Sequence, residues 1–225
     1  MKSLLEFENI IKKSNHFNKE WFRRWIIENP YHFEEFSEED VFVDIGANHG
    51  YVSAYAAYSG AGTVLSFEAL PFLYEAALNV CEPFPIVKLH NNAVWLSDVP
   101  SQTVKIDGRV GHGNQRAIIN GISHKGYTVE TIGLDDILKP LDTVAFLKVD
   151  CEGSEYAILY TSKLLATKVK RIVCETHKFV PSNTPEDLKD RCNFYDLIDY
   201  LKDIGFKILG SKLGRKNGHI IAVKD

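Results

Sequence analysis

The chain has 225 residues, of which 45% are hydrophobic and 25% charged, with a formal net charge of −4. That length can bury the core of one domain without staples, and no stretch reaches the roughly eighteen uninterrupted apolar residues of a membrane-spanning helix. The acidic balance, with no dense lysine and arginine block, lacks the phosphate-neutralising charge that nonspecific nucleic-acid binding needs, so no nucleic-acid partner is expected.

Residues 1–40 read as an N-terminal helical cap, because Leu4, Leu5, Ile10, Ile11, Trp21, Phe22, Trp25 and Ile26 recur at helical intervals. Glu6, Glu8, Lys12 and Lys13 interrupt the apolar run, unlike a secretory signal, and a cytoplasmic location is the expectation. Residues 41–225 read as an α/β core continuous with the cap, in which short apolar runs alternate with amphipathic stretches. The expected strands are Val41–Val43, Thr63–Phe67, Ile86–Leu89, Val144–Val149, Arg171–Cys174, Phe206–Leu209 and His219–Val223, a doubly wound sheet of seven. Expected helices cover Tyr51–Ser59, Pro71–Val80 and Ser154–Ala166, and a last one is capped by Thr184, opened by Pro185 and ended by Gly205. Between Val94 and Thr131 a small β insertion is expected, with strands Thr103–Ile106 and Tyr127–Thr131 around a glycine-rich loop. Arg109, His112, Asn114, Gln115 and Arg116 in that loop are candidates for a substrate lid.

Cys81, Cys151, Cys174 and Cys192 stand far apart with no Cys-x-x-Cys pair, which supplies neither a disulfide framework nor a structural zinc signature. Lys163, Lys168, Lys170 and Arg171 form a local basic group whose ordinary reading is a solvated face.

Chemistry concentrates where expected strands end. The first strand runs into Asp44-Ile-Gly-Ala-Asn-His-Gly50 and then a helix, at the edge where doubly wound folds bind ligands. Gly46 and Gly50 would let the backbone approach a ligand, and the helix start would offer unpaired N–H groups. A dinucleotide site wants a glycine where Asn48 stands, so a cofactor without pyrophosphate is expected. The second strand ends at Glu68, an acceptor for ribose hydroxyls. The fourth ends in Lys148-Val-Asp150-Cys-Glu152-Gly-Ser-Glu155, where charges leaving a buried strand are paired or face the cleft, and Glu155 reads as complementing a helix dipole.

Taken in order, DIGANHG, FEALP, NNAVWLSD and LKVDCEGSE resemble the FkbM-type methyltransferase family over about Val41 to His177, although Ala69 stands where that family usually has proline and Pro71 follows. The resemblance implies a class I methyltransferase-like, Rossmann-like fold that binds S-adenosyl-L-methionine and methylates hydroxyls of sugars, glycans or related natural products. It implies that Asp44, Gly46, Ala47, Asn48 and Gly50 hold the methionine end, Glu68 the ribose, Asn92 and Ala93 the adenine rim, with Asp150 facing the methyl.

An in-line methyl transfer to a hydroxyl needs alignment and a base. Asp150 and His177 are the candidate bases, Lys148 is a third candidate catalytic residue, and Glu175 could orient the imidazole. Asp150, Glu152 and Glu175 would serve a divalent metal if they converged, which spacing alone does not show, and no metal is assigned. The rivals are N-methylation of a nucleobase or protein, a nicotinamide-dependent oxidoreductase, which Asn48 disfavours, and a noncatalytic binding module, which the intact acidic set disfavours.

Overall fold

In the computed structural model, which describes residues 3–33, 35–107, 126–181, 184–215 and 217–224, the apolar runs become strands, of which the central ones are covered on both faces and the edge ones are not. The chain opens with α1 (Leu4–Ile11) and α2 (Lys19–Phe22), which passes into a π-helical turn at Arg23–Ile27. Then follow β1 (Val41–Ile45), α3 (Tyr51–Tyr58), β2 (Thr63–Phe67), α4 (Pro71–Cys81), β3 (Val87–His90), β4 (Asn92–Trp95), β5 (Thr103–Asp107), β6 (Gly126–Gly133) and α5 (Leu134–Leu138). The remainder is β7 (Phe146–Val149), α6 (Glu155–Thr161), α7 (Leu165–Lys168), β8 (Arg171–His177), α8 (Glu186–Lys189), α9 (Phe194–Asp203), β9 (Lys207–Leu213) and β10 (Asn217–Val223).

All seven expected runs contribute to one sheet, ordered β3-β2-β1-β7-β8-β10-β9, in which β10 pairs antiparallel with both its neighbours and the other pairs are parallel. The chain winds outward from β1 in one direction and from β7 in the other, so the crevice beyond the carboxyl ends of these two adjacent strands is the switch point. Alternation along β1 sends Val43 and Ile45 to the core beneath α6 and α9, while Phe42 joins Val52, Val64 and Phe146 on the opposite face. Each fully buried side chain of this kind contributes about 1.5–3 kcal/mol.

The expected β insertion is present as a three-stranded sheet ordered β4-β6-β5, and β4 is a strand that the sequence reading did not separate. The lid candidates Arg109, His112, Asn114, Gln115 and Arg116 lie outside the described residues. Among the described residues, no helix is long and apolar enough to cross a membrane.

Three helix expectations need correction. The N-terminal segment stops being helical at Ile27, because Asn29 and His32 take left-handed φ values of 41° and 51°. Beyond them the chain turns Tyr31, Phe33 and Phe36 onto Phe42 and Phe146 of the sheet. The helix expected over Ser154–Ala166 breaks at Ser162, since Asp135 accepts hydrogen bonds from the Ser162 hydroxyl and the amides of Lys163 and Leu164, capping a new helix there. The last helix likewise starts later than expected. The Thr184 hydroxyl has no partner among the described residues and so does not cap the helix, and Pro185 sits at a cap position of the short α8. Asn193 caps α9 instead, accepting from the amides of Tyr195 and Asp196 at 3.1 and 3.0 Å. Asn193→Ala is therefore expected to lower stability by about 1 kcal/mol in urea unfolding, and an unchanged midpoint would show that α9 does not depend on this cap.

Candidate active site

The turn from β1 to α3 is built by close approach of backbone to backbone. Gly46 and Ala47 donate to the Phe67 carbonyl, both at 3.0 Å, and Asp150 N donates to the Ile45 carbonyl at 3.0 Å, so the exits of β1, β2 and β7 are tied together. Gly46 has φ +81°, and a Cβ there would lie 1.9 Å from the Asp150 carbonyl oxygen, which admits no side chain. Gly50, with φ +80°, would place a Cβ 2.9 Å from Cys81 Sγ and 3.0 Å from Ala77 Cβ. The absent side chains thus make room for neighbouring protein. Within the turn itself, Asn48 N donates to Glu68, His49 N to Asn48 Oδ1, and Gly50 N to the Ala47 carbonyl.

Asp44 and Lys148 are register partners on β1 and β7, and both are buried. Lys148 Nζ donates to Asp44 Oδ1 and to the Gly46 carbonyl, each at 2.8 Å, while Ser53 donates to Asp44 Oδ2 at 2.6 Å. Burial pushes the Lys148 ammonium pKa down, but the charges of Asp44 and Asp150 and the bond to Asp44 raise it further, so it is a fixed cation. Asp44 consequently lies beneath the turn, braced by Lys148, and does not line the cleft.

Above the turn is a narrow cleft. Gly46, Ala47, Asn48, His49, Lys148 and Asp150 line its sheet side, and Trp25, Tyr31, Tyr51 and Val52 line the rest. Trp25 and Tyr31 stack at 5.6 Å and 5°. Tyr31, fully buried, donates its hydroxyl to Asp150 Oδ2 at 2.7 Å. Burial, and then the charges of Asp150 and Glu175, push the Tyr31 phenol well above its ordinary value, so it remains a donor. The sequence reading missed both Tyr31 and Trp25 as site residues; they come from the cap and its irregular exit, where no periodicity reveals which face a ring will meet.

Glu68, 6% exposed, accepts from Asn48 N at 2.7 Å and from Leu70 N at 2.9 Å. Each carboxylate oxygen keeps a lone pair for a further donor. Burial pushes this carboxyl up to about 7, against the opposing pull of the Leu70 and Asn48 amides and Lys148, with Asp44 adding to the rise. Were ribose hydroxyls to donate to it, they would favour the ionised form, and nucleoside affinity would then strengthen as pH rises through about 7 and lose that dependence in Glu68→Gln. A flat calorimetric profile from pH 6 to 8 for wild type would contradict the ribose assignment. The same raised value disfavours the fold as pH rises from about 4.5 through 7, because the native state then holds the proton more tightly than the unfolded chain.

Asn92 and Ala93 lie in β4. Asn92 donates to the Glu130 carbonyl at 3.2 Å, Ala93 is buried, and neither lines the cleft.

His177 ends β8, with its Nδ1 2.7 Å from Oε1 of fully buried Glu155. That carboxylate also accepts from the amides of Cys151 (3.1 Å) and Gly153 (2.9 Å). The imidazole is therefore oriented by Glu155 and not, as expected, by Glu175, whose Oε1 is 3.9 Å from Nε2 and accepts from Asn217. Burial lowers the His177 pKa, yet the bond and charge of Glu155, with Asp150 and Glu152, carry it up to about 9. Burial and the charge of Asp150 push Glu175 up to about 7.

The seven-stranded sheet, with antiparallel β10 inserted between β8 and β9 and a cleft at its switch point, has the class I methyltransferase, Rossmann-like fold. The chain belongs to the FkbM methyltransferase family: the methyltransferase FkbM domain matches residues 44–208, and S-adenosylmethionine is the methyl donor. No curated protein matches. Among solved structures, the chain is similar to precorrin-6y C5,15-methyltransferase from Geobacter metallireducens GS-15, at 13% identity over 94% of this chain and 92% of that one, with TM-score 0.49. It is similar to M. capricolum TrmK in complex with S-adenosylhomocysteine, at 11% identity over 88% and 67%, with TM-score 0.49. A SAM-dependent methyltransferase from Aquifex aeolicus aligns at 8% identity over 100% of both chains, with TM-score 0.47.

Proposed function

We propose that this methyltransferase acts on a hydroxyl oxygen, that of a sugar, glycan or related natural product. The observation that carries the reading is Asp150, a carboxylate that lines the cleft and is oriented there by the Tyr31 hydroxyl. An alcohol becomes a competent nucleophile only as its proton leaves, whereas a neutral nitrogen acceptor already offers a lone pair, so a positioned base favours oxygen.

The residues present suit S-adenosylmethionine. Gly46 to His49 and Asp150 would hold the methionine end, the carboxylate facing positive charge, and Glu68 retains acceptor capacity for the ribose. The cofactor supplies a methyl group on a positively charged sulfur. Asp150 receives the hydroxyl proton, and His177 stands beside it, fixed by Glu155. Lys148 acts as a positioning residue: it neutralises Asp44 and holds the Gly46 carbonyl, keeping the turn in place.

The experiment is transfer from S-adenosylmethionine labelled with ¹³C in the methyl group to a panel of sugar and glycan hydroxyl acceptors, read by NMR. A methyl-ether carbon is expected, and label appearing only on nitrogen would overturn the reading.

A further inference from the structure

Asp150, Glu175 and His177 each place one donor atom within 4.8 Å of the other two. They stand at the carboxyl ends of the paired strands β7 and β8, and Glu175 and His177, two residues apart, share one face. The imidazole is not free to turn. Its Nδ1 is held by Glu155, itself fixed by two backbone amides, so Nε2 is presented to Glu152 at 3.6 Å and Glu175 at 3.9 Å. A carboxylate behind the far ring nitrogen is the arrangement that orients metal-ligating histidines. Two donors bonded to one ion at about 2.1 Å each can stand at most about 4.2 Å apart, and the Glu175–His177 pair already meets that limit.

Charge points the same way. Asp150, Glu152, Glu155 and Glu175 stand around His177; the adjacent Lys148 ammonium is already committed to Asp44 and the Gly46 carbonyl, and Arg24 also acts on Glu175. Beside Glu175, its register partner His219 approaches with Nε2 at 3.8 Å and has a buried Nδ1 that finds no hydrogen-bond partner among the described residues.

We propose that Asp150, Glu175 and His177 form a binding site for one divalent first-row cation such as Mn²⁺. One imidazole and two carboxylates suit such ions, and three protein ligands leave positions open toward the cleft that Asp150 lines. With the cation in place Asp150 serves as a ligand, and the acceptor hydroxyl is made more acidic. The acceptor oxygen then bonds to the methyl carbon as the carbon–sulfur bond breaks, the electron pair staying on sulfur. The hydroxyl proton passes, as in the reading above, to the Asp150 carboxylate, which keeps a lone pair beyond those engaged by the cation and by the Tyr31 hydroxyl. The cation's part in transfer rests on the hydroxyl reading above; its binding does not.

The test is titration of the chelator-treated full chain with Mn²⁺, followed by electron paramagnetic resonance of the free ion and by calorimetry. One equivalent is expected to bind, and Glu175→Gln and His177→Gln are each expected to weaken binding about tenfold or more. Retention of the melting-temperature rise with S-adenosylhomocysteine verifies that each variant is folded. Absence of stoichiometric binding to wild type, or unaltered binding in both folded variants, would overturn the site. Stoichiometric binding without transfer to any hydroxyl would support the site while overturning the reaction proposed above.

Discussion

Asp150→Asn is expected to reduce kcat for methyl transfer by about 10²–10⁴-fold, the range a positioned general base contributes, while S-adenosylhomocysteine still binds. The substitution keeps shape and removes the charge that draws the hydroxyl proton. Because Asp150 Oδ2 accepts from Tyr31 at 2.7 Å, Tyr31→Phe should give a smaller loss, about five- to tenfold, the equivalent of one hydrogen bond of about 1 kcal/mol. Steady-state kinetics with the ¹³C-identified acceptor separates the two, and wild-type kcat in Asp150→Asn would remove this residue from proton transfer.

Lys148→Met is expected to destabilise the fold by about 3–5 kcal/mol, because it strands the fully buried Asp44 carboxylate without its counter-charge. The loss extends to function, since the same ammonium holds the Gly46 carbonyl at the base of the cleft. Denaturant unfolding measures the change. Asp44→Asn combined with Lys148→Met should recover part of it, as expected for residues coupled through one buried pair. A single-variant loss below about 1 kcal/mol, the size of an exposed ion pair, would contradict the structural role assigned to Lys148.

The sheet was legible in the sequence because strands covered on both faces must be apolar for several residues running, and few other elements leave that trace. Helix boundaries were less legible. Asp135 ends α6 from a position 27 residues away by capping the turn at Ser162, and a competition of that kind leaves no periodic mark. Within the site, Asp44, Glu68, Lys148 and Asp150 were readable because charges at or just beyond the ends of buried parallel strands gather at one edge. Their division of labour was not readable: Asp44 is consumed by Lys148 beneath the turn, and only Asp150 of the two acids lines the cleft. Tyr31 and Glu155 reach their partners across 119 and 22 residues, contacts set by the packing of the exit from the cap and by a tight loop after β7. The two glycines pack against the Asp150 carbonyl and α4, a requirement the motif alone does not reveal.

The central claim is that the crevice between the exits of β1 and β7 holds the cofactor with its reacting end toward Asp150. A crystal structure with S-adenosylhomocysteine tests it most directly. The expected result is the amino-acid end against Gly46 to His49, the ribose on Glu68, and the sulfur facing the Asp150 carboxylate. Density for the ligand elsewhere, or a sulfur turned away from Asp150, would contradict it.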